Sequence, residues 1–165
     1  MPKASPLLFY EGTVLTDWID YNGHMNVAYY VLAFDYATDA FIDYLGMDRQ
    51  YRERTQCSVF VMEAHINYEQ ELVEGDPICC TTQLLDFDSK RIHYFHRMYQ
   101  TDEDFRAATT ELMLIHVDLS QRRSTPMPRQ VLDRLDAIMT QHKQLPRPAQ
   151  AGRVIHIPSK PSGTG

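Results

Sequence analysis

The stretch Asp20-Tyr21-Asn22-Gly23-His24-Met25-Asn26 runs straight into Val27-Ala28-Tyr29-Tyr30-Val31-Leu32-Ala33-Phe34 and on to Leu45-Gly46, passing from turn-forming residues into a long apolar run. From Asn26 to Leu45 there is no Gly or Pro, and Gly46 supplies a C-terminal stop, so the run reads as one helix. Its only charges, Asp35, Asp39 and Asp43, fall at i, i+4 and i+8 and share one face. A helix with so narrow a polar stripe has to be wrapped by other elements.

The flanking sequence supplies them. Tyr10 to Trp18 reads as a first strand ending in the Asp-Tyr-Asn-Gly turn signal. After the helix, Ser58–Tyr68, Pro77–Leu85, Arg91–Tyr99 and Arg106–Leu119 are rich in Val, Ile, Thr, Tyr and Phe and are separated by breakers. The last two gaps suit antiparallel hairpins. This order predicts an α+β fold in which an antiparallel sheet curls around one long helix; a doubly wound fold is disfavoured because strands and helices do not alternate. Pro126 to Lys143, with Val131, Leu132, Leu135 and Ile138 at helical spacing, predicts a C-terminal amphipathic helix on the outside. Residues 1–145 are expected to form one domain, and 146–165, with four of the nine prolines, an extended and partly mobile tail.

The 165 residues make about one domain, and 44% hydrophobic content is enough for a core. A net charge of -6 without a basic patch argues against nucleic acid as a partner. Leu7-Leu8-Phe9 is too short for the apolar centre of a signal peptide, and the aspartates of the long helix argue against a membrane span. Three cysteines, two of them adjacent, suit a reducing cytoplasm. His93 and His96 fall on opposite faces of a strand, and neither His-Glu-x-x-His nor Cys-x-x-Cys occurs, so no metal site is expected.

The chemistry concentrates at the junction. The first amides of a helix point outward and carry partial positive charge, so those near Met25 and Asn26 can stabilise an oxyanion. Asp20, just upstream, can act as a general base on water or as a nucleophile toward the same carbonyl carbon. Gly23 lets the backbone come close to the substrate. Taken singly, Asp, Asn and Gly before a helix are ordinary turn and cap residues.

Asp20-x-Asn22-x-His24-x-Asn26 before an aromatic-rich helix resembles the signature of hotdog-fold acyl thioesterases of the 4-hydroxybenzoyl-CoA thioesterase-like branch, and the likeness extends from about Tyr10 to Leu119. It implies hydrolysis of a small acyl-CoA thioester to free acid and CoA, with no cofactor beyond the CoA of the substrate. Asn22 and His24 then orient the water or the thioester. Some hotdog branches use a second carboxylate, for which Glu63, among Val59, Phe60, Val61 and Met62, is the candidate, expected to be buried with a raised pKa. A narrower resemblance, carried by Asp17 to Asn26, Ala37-Thr38-Asp39-Ala40, Lys90 to Met98 and Ala151-Gly152-Arg153, is to the thioesterase module of carnitine degradation and implies betainyl-CoA. Trp18, Tyr21, Tyr29 and Tyr30 are the candidates to hold its quaternary ammonium group. Lys90, Arg91 and Arg97 are the candidates to hold CoA phosphates. The resemblance also implies a site between subunits, hence a homodimer or homotetramer. The alternatives are a hotdog hydratase or dehydratase, against which Asp20 and His24 stand four apart with no His-x-x-x-x-x-Pro-Gly, and a non-catalytic acyl-CoA-binding module.

Overall fold

The computed structural model describes residues 4–157; the expectations for Met1 to Lys3 and for the tail beyond Ile157 lie outside them. In chain order come β1 (Leu7–Thr13), one 3-10 turn (Thr16–Trp18), α1 (Val27–Tyr44), α2 (Arg49–Thr55), β2 (Cys57–Tyr68), β3 (Pro77–Phe87), β4 (Arg91–Gln100), β5 (Phe105–Asp118), β6 (Arg123–Ser124) and α3 (Arg129–His142). The sheet is antiparallel in the order β1-β3-β4-β5-β2, with β6 added to β5. It curls around α1 as expected. The first strand lies earlier than the sequence suggested: Thr16 to Trp18 turn instead of extending, which buries the Trp18 ring.

α1 buries Tyr30, Ala33, Phe34, Ala37, Thr38, Phe41 and Ile42, an i, i+3, i+4 stripe repeated along the helix, and the aspartates lie on its exposed side. Gly46 takes φ +88, a left-handed conformation that ends the helix. Two clusters of buried side chains share α1. One joins Trp18, Met25, Tyr30 and Phe34 to β3, β4 and β5; the other joins Phe41, Leu45 and Tyr51 to Leu84, Ile92, Leu114 and the Val131, Leu135 and Ile138 face of α3.

The helix is not wrapped all round. It packs on β1, β3 and β4, leaving β2 as an uncovered edge on which Val61, despite facing the helix side, is 50% exposed beside exposed Phe60 and Met62. On the outer face of the sheet the chain after α3 lies as a strap. Pro146 O accepts from Gln83 Nε2 at 3.2 Å, Gly152 N donates to Glu111 Oε2 at 2.6 Å, and Arg153 Nη1 donates to Asn67 Oδ1 at 3.2 Å.

Candidate active site

Asp20, Asn22 and His24 form one tight loop. Gly23 N donates to Asp20 O at 3.0 Å and Asp20 N donates to His24 O at 3.1 Å, while Gly23 holds φ +84, which an L side chain resists. Asp20 Oδ1 accepts from Asn22 N at 2.8 Å. That is the ordinary turn role of an Asp, and it uses one carboxylate oxygen. The other makes no hydrogen bond among the described residues. A bridge between Ile19 and Met25 holds this loop against the start of α1.

The amides expected to receive an oxyanion are committed elsewhere. Met25 N donates to Leu72 O at 2.7 Å and Asn26 N to Trp18 O at 2.9 Å. Asn26 is instead the N-cap of α1, its Oδ1 accepting from Ala28 N at 2.9 Å. Tyr29 N donates to Asn26 O. Val27 N, the first amide of the helix proper, is left without a partner among the described residues. Val27 lines a cleft of about 190 Å³ together with His24, Tyr30, Tyr68 and Glu71.

Tyr68 and Glu71 also line the cleft, and the motif from Asp20 to Asn26 does not include them. Tyr68 ends β2, places its hydroxyl 3.5 Å from Val27 O and meets Tyr30 edge to face at 5.3 Å between centroids. Glu71 lies in the β2–β3 connection, its Oε2 3.6 Å from His24 Nε2. The connection is fixed by Leu72, which receives Met25 N on its carbonyl and gives its own amide to Tyr30 Oη at 3.2 Å. The available signal in the sequence is the apolar Leu72 closing the polar run Glu69-Gln70-Glu71, and the fold buries it fully.

The expected aromatic cage does not assemble in one chain. Trp18 is buried and stacked on Tyr29, centroids 5.5 Å apart, so each covers a face of the other. Tyr30 is buried and serves Leu72, and Tyr21 is 96% exposed on the outside of the loop. Glu63 is neither buried nor part of the cleft: it is exposed on the outer face of the sheet, away from α1, lining a cavity of about 390 Å³ with His65, His93, Glu111 and Arg153. The basic candidates are also dispersed. Lys90 and Arg91 sit at the β3–β4 turn, at the far end of an α1 about 27 Å long, with Arg91 paired to Asp88. Arg97 lies on the outer face over the Phe95 ring at 5.1 Å and bonded to Gln83 Oε1 at 2.8 Å, and burial pushes its pKa down.

Comparison with known proteins decides the family. The model of the thioesterase-like superfamily matches residues 14–135. The chain belongs to the thioesterase-like superfamily. As a member it is a thioester hydrolase with the hotdog arrangement of curled sheet and central helix. It is 43% identical over 152 residues to the betainyl-CoA thioesterase of Pseudomonas aeruginosa, covering 92% of this chain and 96% of that one. It is 36% identical to the L-carnitine dehydrogenase/betainyl-CoA thioesterase of Rhizobium meliloti, covering 94% of this chain but 31% of that longer protein. A Staphylococcus aureus protein solved in complex with CoA superimposes with a TM-score of 0.87 at 28% identity, over 96% of this chain and all of the other. In this thioesterase the Val27 amide and the small cleft lie at the first turn of α1, and the Asp20 loop is tied to that turn through the Ile19–Met25 bridge.

Proposed function

We propose that the protein hydrolyses betainyl-CoA to betaine and CoA, with no cofactor beyond the CoA of the substrate. The partner-free Val27 amide at the first turn of α1, with the Asp20 loop tied to that turn by the Ile19–Met25 bridge, is the observation that carries the chemistry; the 43% identity to a betainyl-CoA thioesterase supports the acyl group. The thioester oxygen accepts from Val27 N, and Asp20 acts at the carbonyl carbon with its open oxygen. Through water, Asp20 takes the proton as the water oxygen bonds to carbon and the carbon–sulfur bond breaks. By direct attack, an acyl anhydride forms as the thiolate leaves, and water then cleaves it. A thiol of pKa about 8.5 leaves almost as thiolate, so little acid help is required. His24 and Asn22 orient the water or the thioester.

The reading includes a homodimer or homotetramer. Its support is β2, a twelve-residue edge strand that carries neither Pro nor Lys and exposes Phe60, Val61 and Met62. A second copy paired along it reaches the Tyr68 end, next to the cleft. A cytoplasmic location is supported by free Cys57, Cys79 and Cys80, with burial pushing the Cys79 and Cys80 thiols up. No helix among the described residues is long and apolar enough to cross a membrane.

The test is thiol release from a panel of CoA thioesters. Betainyl-CoA is expected to be the preferred substrate; parity with simple short acyl groups defeats the betainyl assignment.

A further inference from the structure

The geometry points to Tyr68 and Glu71 as the subsite that holds a quaternary ammonium on the acyl group, in place of the cage that Trp18, Tyr21, Tyr29 and Tyr30 do not form. The inference rests on the betainyl reading above. In that acyl group the cationic nitrogen stands one methylene from the thioester carbon. A carbonyl held by Val27 N therefore fixes the cation inside the same small cleft, against whatever lines it.

Two features there suit a cation that has no hydrogen to donate. The Tyr68 ring is held beside Val27 by its hydroxyl on Val27 O and by the edge-to-face contact with Tyr30, and it stays 46% exposed. An aromatic face attracts a quaternary ammonium through its quadrupole, without hydrogen bonds. Glu71 supplies the charge. The nearby acidic residue Glu69 is spent on Arg106 at 2.7 Å, and Asp76 accepts from Val73 N and Gln100 Nε2. Glu71 has no Arg or Lys partner among the described residues, the nearest imidazole being His24 at 3.6 Å, and its side chain is 71% exposed. The backbone around it is clamped by Gln70 N on Ala107 O and by both groups of Leu72, so the carboxylate projects from a fixed position. A cation beside the positive end of α1 is otherwise disfavoured, and this carboxylate offsets that repulsion.

The experiment compares betainyl-CoA with 3,3-dimethylbutanoyl-CoA, in which carbon replaces the charged nitrogen and the shape is kept. The wild-type enzyme is expected to prefer the cation in kcat/KM. Glu71→Gln and Tyr68→Leu are each expected to lower that preference about tenfold, roughly what one cation–π or one half-screened ion pair supplies. Tyr68→Phe, which keeps the ring, is expected to keep the preference. Equal losses on both thioesters in Glu71→Gln and Tyr68→Leu, or no loss on either, overturn the subsite while leaving the substrate assignment standing. Wild-type inactivity toward betainyl-CoA overturns the assignment and the subsite together.

Discussion

Two histidine neighbourhoods lie along α1, and they differ in what the chain leaves open. At mid-helix, His96 of β4 is fully buried, its Nε2 2.9 Å from Thr38 Oγ1 and its Nδ1 2.8 Å from Thr82 Oγ1, with its ring parallel to Phe34. Every polar atom of that ring is engaged, and burial pushes its pKa down to about 3, so it stays neutral and holds the helix to the sheet. At the first turn, His24 is half-buried, Glu71 stands 3.6 Å away, and among the described residues Val27 N has no partner and one Asp20 carboxylate oxygen accepts no hydrogen bond. Residue types alone do not separate these places. Satisfied polar groups hold the fold together, and unsatisfied groups on a rigid edge are available to a substrate.

The strongest way to break this contrast is Asp20→Asn. The amide oxygen can still accept from Asn22 N, so the turn survives while the proposed base or nucleophile is lost. Thiol release is expected to fall about 10²- to 10⁴-fold with the melting temperature nearly unchanged. Nearly full hydrolysis of every accepted thioester would remove Asp20 from the mechanism. At mid-helix the opposite split is expected. Thr38→Val leaves His96 Nε2 and the Tyr94 hydroxyl short of a partner and costs about 1–3 kcal/mol in denaturant unfolding, with turnover per folded molecule retained. A stable variant with lost turnover inverts the two roles.

Acid sharpens the same comparison. An unfolded histidine takes a proton near pH 6.5, whereas folded His96 resists protonation down to about 3. Between those values the unfolded chain binds the extra proton, so stability falls as pH drops, by about 1.4 kcal/mol per unit. His142, lowered by burial and accepting from Leu84 N at 2.8 Å, adds in the same direction. Unfolding at pH 7 and pH 5 is expected to differ by about 2 kcal/mol from His96 alone. A flat profile across that window, in the wild type, shows that His96 is not the sealed neutral group described.

Much of this was legible, and the failures share a cause. The strands β2 to β5 fall within a few residues of the runs of Val, Ile, Thr and aromatics that predicted them, and α1 was readable from the absence of Gly and Pro between Asn26 and Gly46. Thr13, Val14, Leu15 and Trp18 predict a strand through Trp18, whereas the strand stops at Thr13 and packing of Trp18 against Tyr29 and the first-turn cluster prevails. α2 escaped notice because it is seven residues long and buries only Tyr51. At the site, the Asp20 turn is local chemistry and could be read locally. The donor could not: Met25 N is taken by Leu72, far along the chain, and Asn26 N by Trp18, and together these two bonds leave Val27 as the amide without a partner among the described residues.

The smallest expected effect tests how that free amide is held. Asn26 caps α1 through Oδ1 on Ala28 N, receives Tyr29 N on its carbonyl and gives its own amide to Trp18 O, so it braces Val27 from both sides. Asn26→Ala removes only the side-chain bond and is expected to cost about 1 kcal/mol of stability. Because the backbone bonds remain, the first turn loosens without unravelling, and kcat/KM is expected to fall less than tenfold. Asn26→Asp, which keeps a capping oxygen, is expected to restore the stability and also brings a negative charge next to the proposed oxyanion donor at Val27. Stability recovered with hydrolysis still depressed is therefore the signature of a donor at Val27, whereas recovery of both in Asn26→Asp places the oxyanion elsewhere.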